Sequence, residues 1–139
     1  MLLILDSNEY IFALGILKKP ACCQLLDAVM SSPPSFSIRI TRLIIREVKN
    51  NLTHEAFKEF LLTVMSLTTI DDDTCVPFEL GSKYESLGFK PADAFIAAYT
   101  EWVGAKILVS ENRHFLSRHT NLPFKVLTAD KTLKLFNSH

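Results

Sequence analysis

The chain has 139 residues, of which 48% are apolar and 22% charged, and its formal net charge is zero. That length supports one domain with a real core, and that balance excludes a disordered chain. Zero net charge also excludes a general basic coat, so a polyanionic partner would have to be held by a local site.

The first segment, Leu2 to Leu5, is wholly apolar, as in a strand buried on both faces. Asp6-Ser7-Asn8 then caps a helix expected through Ile11, Leu14 and Leu17. Pro20 opens a second helix with Leu25, Leu26, Val29 and Met30 on one face, stopped by Ser31-Ser32-Pro33-Pro34. Phe36 to Ile40 alternates as a strand. Thr41 starts a helix to about Leu52, and another runs from about His54 to Met65. Thr68 to Ile70 is read as a strand, and Asp71-Asp72-Asp73 as a solvated turn. A helix from Phe78 to Ser86 precedes Gly88, and the clearest helix runs from Pro91 to Val103, with Gly104 as its stop. Lys106 to Val109 and Lys125 to Leu127 are further strands, and Asp130 to Phe136 is a terminal helix. Short apolar strands alternating with helices predict right-handed crossovers and a mainly parallel sheet covered on both faces.

Cys22, Cys23 and Cys75 give an odd count without a CxxC pair, the pattern of buried free thiols in a reducing compartment. MLLILD has no basic lead-in and Asp6 interrupts it, so no secretory signal is expected. No uncharged run approaches the roughly 20 apolar residues of a membrane span. The expected location is the cytoplasm, with no membrane partner.

In a parallel α/β sheet, ligand sites lie beyond the carboxyl ends of the strands. Asp6 directly follows the first strand, where an N-cap role and a ligand role are compatible. Glu47 interrupts the stripe formed by Leu43, Ile44, Val48 and Leu52, while Arg42, Arg46 and Lys49 keep to another face. A carboxylate on an apolar face costs several kcal/mol unless it is paired, metal-bound or at an edge that reaches water. Asp93 stands in the first turn of the Pro91 helix, where the helix dipole favours acid. Ser110-Glu111-Asn112 follows a strand, and Ser110 and Asn112 are equally suited to capping a short helix through Phe115. Together these units bring oxygen ligands to one sheet edge, and clustered carboxylates call for a hard cation such as Mg²⁺ or Mn²⁺.

The same residues resemble those of PIN-domain ribonucleases, including toxin members of bacterial toxin–antitoxin pairs. The resemblance covers nearly the full length. It rests on Leu3-Ile4-Leu5-Asp6-Ser7-Asn8, Thr41-Arg42-Leu43-Ile44-Ile45-Arg46-Glu47, Pro91-Ala92-Asp93-Ala94-Phe95-Ile96-Ala97-Ala98 and Leu108-Val109-Ser110-Glu111-Asn112-Arg113-His114-Phe115, in that order. It implies a three-layer α/β/α sandwich with a mainly parallel central sheet, a single PIN-like domain over residues 1–139. It implies Asp6, Glu47 and Asp93 as catalytic carboxylates binding Mg²⁺ or Mn²⁺, with Asn112 in the catalytic set and Asn8, Ser110 and Glu111 as supporting polar groups. Asn112 departs from the aspartate common at that position, which removes a negative charge and bears on whether a second ion is held. Glu111 is the neighbouring acid, but one residue along it aims elsewhere.

The implied activity is endoribonuclease cleavage of single-stranded or structured RNA. A small antitoxin protein and a second copy of the chain are the implied partners. Candidate RNA contacts are Arg39, Arg42, Arg46 and Arg113, with Lys49, His114, Arg118 and His119 behind them. Phe115 reads as core. A catalytically weak PIN-like binding or scaffold module is the closest rival. A receiver-like phospho-switch wants paired acids beside the first strand, and a haloacid-dehalogenase-like phosphatase wants Asp-x-Asp there; Asp6-Ser7-Asn8 meets neither. His54, His114, His119 and His139 lack zinc-ligand spacing.

Overall fold

In a computed structural model, residues 1–31, 36–117 and 121–137 are described. Ser32, Pro33 and Pro34 of the expected helix stop, together with Arg118, His119 and His139, lie outside them. Strand β1 (Leu2–Leu5) is central, with Leu3, Ile4 and Leu5 at most 1% exposed. Strands β2 (Ser37–Thr41) and β4 (Ile107–Val109) flank it; β3 (Ile70–Asp71) and β5 (Lys125–Leu127) form the edges, giving the order β3-β2-β1-β4-β5. All four pairings are parallel, so the expected mainly parallel sheet is parallel throughout its described strands. The all-apolar β1 and β4 follow from this position, because a parallel strand between helical layers has no wet face.

The helices are α1 (Ser7–Leu14), α2 (Pro20–Met30), α3 (Arg42–Lys49), α4 (His54–Leu67), α5 (Phe78–Ser86), α6 (Pro91–Val103), α7 (Arg113–Ser117) and α8 (Ala129–Asn137). Helix α1 packs on α2, α3 and α4, and α2 on α8, whereas α5 packs on α6, which lies against β4. The result is the expected α/β/α sandwich. No helix among the described residues is long and apolar enough to cross a membrane.

Several boundaries differ from expectation for local reasons. Helix α1 stops at Leu14 rather than continuing through Leu17: Gly15 N closes on Ile11 O, and the following Ile16 and Leu17 are 89% and 78% exposed. Helix α3 ends at Lys49, where Asn50 and Asn51 turn the chain into α4, which runs to Leu67. Strand β2 is displaced by one residue, because Thr41 still pairs with Asp71 while its hydroxyl caps α3 at Ile44 N. Strand β3 lies later than the expected Thr68–Ile70, since it pairs only with Ile40 and Thr41 at the end of β2. Helix α6 stops as expected at Gly104, whose φ of 72° is the left-handed conformation that glycine adopts without strain.

The acidic run is not a solvated turn. Asp71 takes a two-pronged hydrogen bond from Arg39 at 2.9 Å and another from the Tyr99 hydroxyl; Asp73 pairs with Arg46 at 3.0 Å and caps Leu43 N. Asp72 lies 4.0 Å from Arg42, a loose exposed contact, and caps Thr74 N. Burial would raise the Asp71 pKa, but Arg39 and Tyr99 outweigh it and hold it below the ordinary value. Asp71→Ala is expected to destabilise the fold by about 1–3 kcal/mol in urea unfolding, because Tyr99 and Arg39 lose their acceptor. A change under about 0.5 kcal/mol would place Asp71 among ordinary surface positions.

Candidate metal centre

The carboxyl ends of β1 and β4 meet where the strand order reverses, which is where doubly wound sheets place ligands. Asp6 N donates to Val109 O at 2.9 Å, so the residues leaving both strands are locked side by side. Asp6 is 5% exposed. Its Oδ1 accepts from Ser7 N at 2.8 Å, capping α1, and its Oδ2 accepts from Ser110 Oγ at 2.9 Å. A carboxylate has about four lone-pair sites, so these bonds orient Asp6 and leave it able to ligate.

Glu47 occupies the α3 face that also carries the fully buried Ile44 and Val48. Its side chain meets the charges of Asp6 and Asp93, and a hydrogen bond from the Ser7 side chain offsets them in part. Its Oε1 is buried and has no hydrogen-bond partner. Asp93, in the first turn of α6, borders a small hollow of about 70 Å³ with Gly88, Phe89, Lys90 and His114. Burial raises the pKa of all three acids. The neighbouring carboxylates raise Asp6 and Glu47 further, whereas His114 and Lys90 oppose the rise at Asp93.

Two unit charges about 6 Å apart repel by about 3 kcal/mol at an effective dielectric near 20. The oxygens of the three acids do not all lie within 4.8 Å of one another as they stand. Each acid feels the others' charge or burial, and one carries an orphaned buried oxygen. A divalent cation drawing them together would therefore neutralise the repulsion and accept that oxygen's lone pair. Asp6, Glu47 and Asp93 are the residues that would hold it.

The other predicted residues take different places. Ser110 is fully buried and ties Asp6 to the next residues, since its Oγ also accepts from Asn112 N at 3.0 Å. Asn112 Oδ1 accepts from His114 N at 3.0 Å, which makes its side chain a cap for α7. Glu111 turns away, accepting from Ala129 N at 3.1 Å with Oε2 at the start of α8. Asn8 is half-buried. Of the candidate RNA contacts, Arg39 and Arg46 pair with Asp71 and Asp73, Arg42 lies 4.0 Å from Asp72, and Arg113 is exposed. Phe115 is core, as expected, at 1% exposed.

Sequence reading missed Ser7, Lys90, Glu9 and Cys22. Glu9 left a signal: it shares a helix face with Ala13, four residues on, so it breaks an inward face as Glu47 does. A larger hollow, about 680 Å³, lies elsewhere, beside the end of α1 and the α3–α4 connection.

The chain matches no protein-family model and no curated protein sequence. Among solved structures it is similar to VapBC2 from Rickettsia felis bound to a DNA fragment from its promoter. The identity is 20% and the TM-score 0.62, with 91% of this chain and 97% of that chain covered. It is also similar to FitAcB from Neisseria gonorrhoeae, with 12% identity, a TM-score of 0.58, and 91% and 97% covered. With a five-stranded parallel sheet wound in the order β3-β2-β1-β4-β5 and matched across 91% of its length, this chain has the PIN-like α/β/α fold.

Proposed function

We propose that this protein is a Mg²⁺- or Mn²⁺-dependent endoribonuclease, acting as the toxin of a toxin–antitoxin pair. The observation that carries the reading is the buried, unpartnered Oε1 of Glu47 set against the like charges of Asp6 and Asp93. Both similar structures are of toxin–antitoxin complexes, which supports a small antitoxin as partner.

A divalent ion at such a site supplies a more acidic bound water and neutralisation of charge on the phosphoryl oxygens. The chain's own part is to hold and orient. Ser7 and Ser110 fix the Asp6 carboxylate, the sheet end fixes Ser110, and α3 holds Glu47 against the rigid Ile44 and Val48 contacts. Glu47, whose Oε1 has no hydrogen-bond partner, is the acid best placed to orient a water or take its proton as a general base. Lys90, which flanks Asp93, offers a positive contact for the RNA phosphates, and His114 beside it an imidazole that can hydrogen-bond them.

Single-stranded RNA incubated with the protein and millimolar Mn²⁺ or Mg²⁺ is expected to be cut, with cutting abolished by chelator. Asp93→Asn should lower the rate by about 10²-fold or more, the scale of losing one preorganised electrostatic contact. A catalytically weak binding module is the second reading, favoured by Asn112, a neutral amide where a further carboxylate would add charge, and one that also caps α7. RNA that is bound but left intact at every metal concentration would select that module and overturn the nuclease.

A further inference from the structure

A second group of ligand atoms lies outside the Asp6–Glu47–Asp93 site. Glu9, on α1 one turn beyond Asp6, is 2% exposed. Its Oε2 accepts a hydrogen bond from Cys22 Sγ of α2 at 3.0 Å, and its Oε1 is buried without a partner. Glu111, in the β4–α7 connection, brings its carboxyl within hydrogen-bonding range of Glu9. One ligand atom from each of Glu9, Cys22 and Glu111 lies within 4.8 Å of the other two.

We propose that Glu9, Cys22 and Glu111 form a second metal site, which takes Zn²⁺ or a similarly thiophilic divalent ion. The proposal goes beyond the nuclease reading and does not depend on it. Two carboxyl groups approach one another in a buried place only with a proton or a cation between them. A proton bridges two oxygens; an ion takes a third donor as well, and the third donor here is a thiol. Zinc–sulfur and zinc–oxygen bonds of about 2.3 and 2.0–2.2 Å put tetrahedral ligand atoms about 3.5 Å apart, so the present spacings need only small side-chain shifts.

Charge favours the exchange. Without an ion, the pocket holds a thiol and two carboxyls sharing a proton. Zn²⁺ would displace the thiol proton and the shared proton to solvent, trading two positive charges for two, so the buried formal charge does not change. Sulfur also selects the ion: Mg²⁺ and Mn²⁺ prefer oxygen, whereas thiolate suits zinc and cobalt. The three ligands come from α1, α2 and the β4–α7 connection, so a bound ion would staple together the elements that present Asp6 and Ser110. Among the described residues no fourth His, Cys, Asp or Glu joins the group, which leaves a position for water or a second carboxylate oxygen.

The test uses Co²⁺ as the spectroscopic probe and Zn²⁺ as its competitor. The intact protein with Co²⁺ is expected to show a near-ultraviolet sulfur-to-cobalt charge-transfer band that saturates at one ion per chain and is bleached by Zn²⁺. The band should persist in Asp93→Asn, which separates this site from the nuclease centre, and in Cys23→Ser and Cys75→Ser. It should vanish in Cys22→Ser, and Glu9→Gln should weaken Zn²⁺ competition at least ~10-fold. If Cys22→Ser does not fold, the Glu9→Gln competition decides in its place: undiminished Zn²⁺ binding there would overturn the site. No band in the parent protein, or a band intact in Cys22→Ser, would mean a shared proton only and overturn the site, whatever the outcome of the RNA assay.

Discussion

Glu47→Gln is expected to make the metal-free protein melt higher while leaving it unable to cut RNA. The Glu47 pKa is raised by burial first and then by Asp6 and Asp93. A raised folded-state pKa means that ionising the group opposes folding: the stability it contributes is complete below its unfolded pKa and is lost as pH rises through the folded value. The parent protein therefore loses that contribution as pH rises through the raised Glu47 value, and the variant does not. Glutamine keeps the shape, removes the charge and brings N–H donors toward the Asp6 and Asp93 carboxylates. The expected gain is about 1 kcal/mol, or about 3 °C for a chain of this size. Metal reverses the comparison. An ion at 100 times its dissociation constant stabilises the folded parent by about 2.7 kcal/mol, and the variant should lose most of that response. Cleavage should fall by about 10³-fold, since both an ion ligand and the candidate base disappear. A variant that melts lower without metal yet still responds fully to Mn²⁺ would show Glu47 to be a structural helix residue and would sink its place in the site.

How far the sequence discloses this arrangement depends on whether each signal is local. The ends of α6 are legible because Pro91 fits only the first turn and Gly104 takes a left-handed conformation, both decided within a few residues. Strands β1 and β4 are legible because burial on both faces leaves them no polar positions. Glu47 is legible because a charge on an apolar stripe contradicts helical periodicity. The Asp71-Asp72-Asp73 run is not, since its partners on β2 and α3 arrive only through the pairing of Thr41 with Asp71, thirty residues away in the chain. That arrangement also gives Arg39 and Arg46 acidic partners within the fold. Asn112 shows the limit of motif reading. Its place in the motif suggests a role at the site and its side chain equally suits a helix cap; the oxygen accepts from the backbone N–H of His114 and keeps a second lone pair. Glu9 broke the same periodicity rule as Glu47. It stands in a short helix beside Tyr10 and Ile11, where a lone acid resembles a first-turn dipole partner, and its burial depends on α2 and the β4–α7 connection closing over it.

Glu9 accordingly governs the second large effect, a loss of stability with rising pH in the metal-free protein. Burial is the main cause that pushes its pKa up from 4.5 to about 9; Glu111 adds to the rise, and the Cys22 hydrogen bond opposes it. Below pH 4.5 the folded and unfolded chains both carry the proton, and the contribution is complete. Between 4.5 and about 9 only the folded chain keeps it, so each pH unit withdraws up to about 1.4 kcal/mol. Because Glu111 lies beside Glu9 and couples to it, the slope is gentler than that limit. Glu9→Gln replaces the proton by a permanent amide donor facing Glu111, and its carbonyl oxygen still accepts from Cys22. In urea unfolding with chelator present, parent and variant should be nearly equal in stability near pH 5. Near pH 8 the variant should be ahead by about 2 kcal/mol or more, because the parent has by then lost much of its proton-linked contribution. Asp6, Glu47 and Asp93 add a downward slope of their own, common to both proteins, so the difference between the curves isolates Glu9. Parallel curves from pH 5 to pH 8 would mean that Glu9 ionises normally inside the fold. Glu9 and Glu111 would then have to be held apart in solution, with neither a proton nor an ion between them.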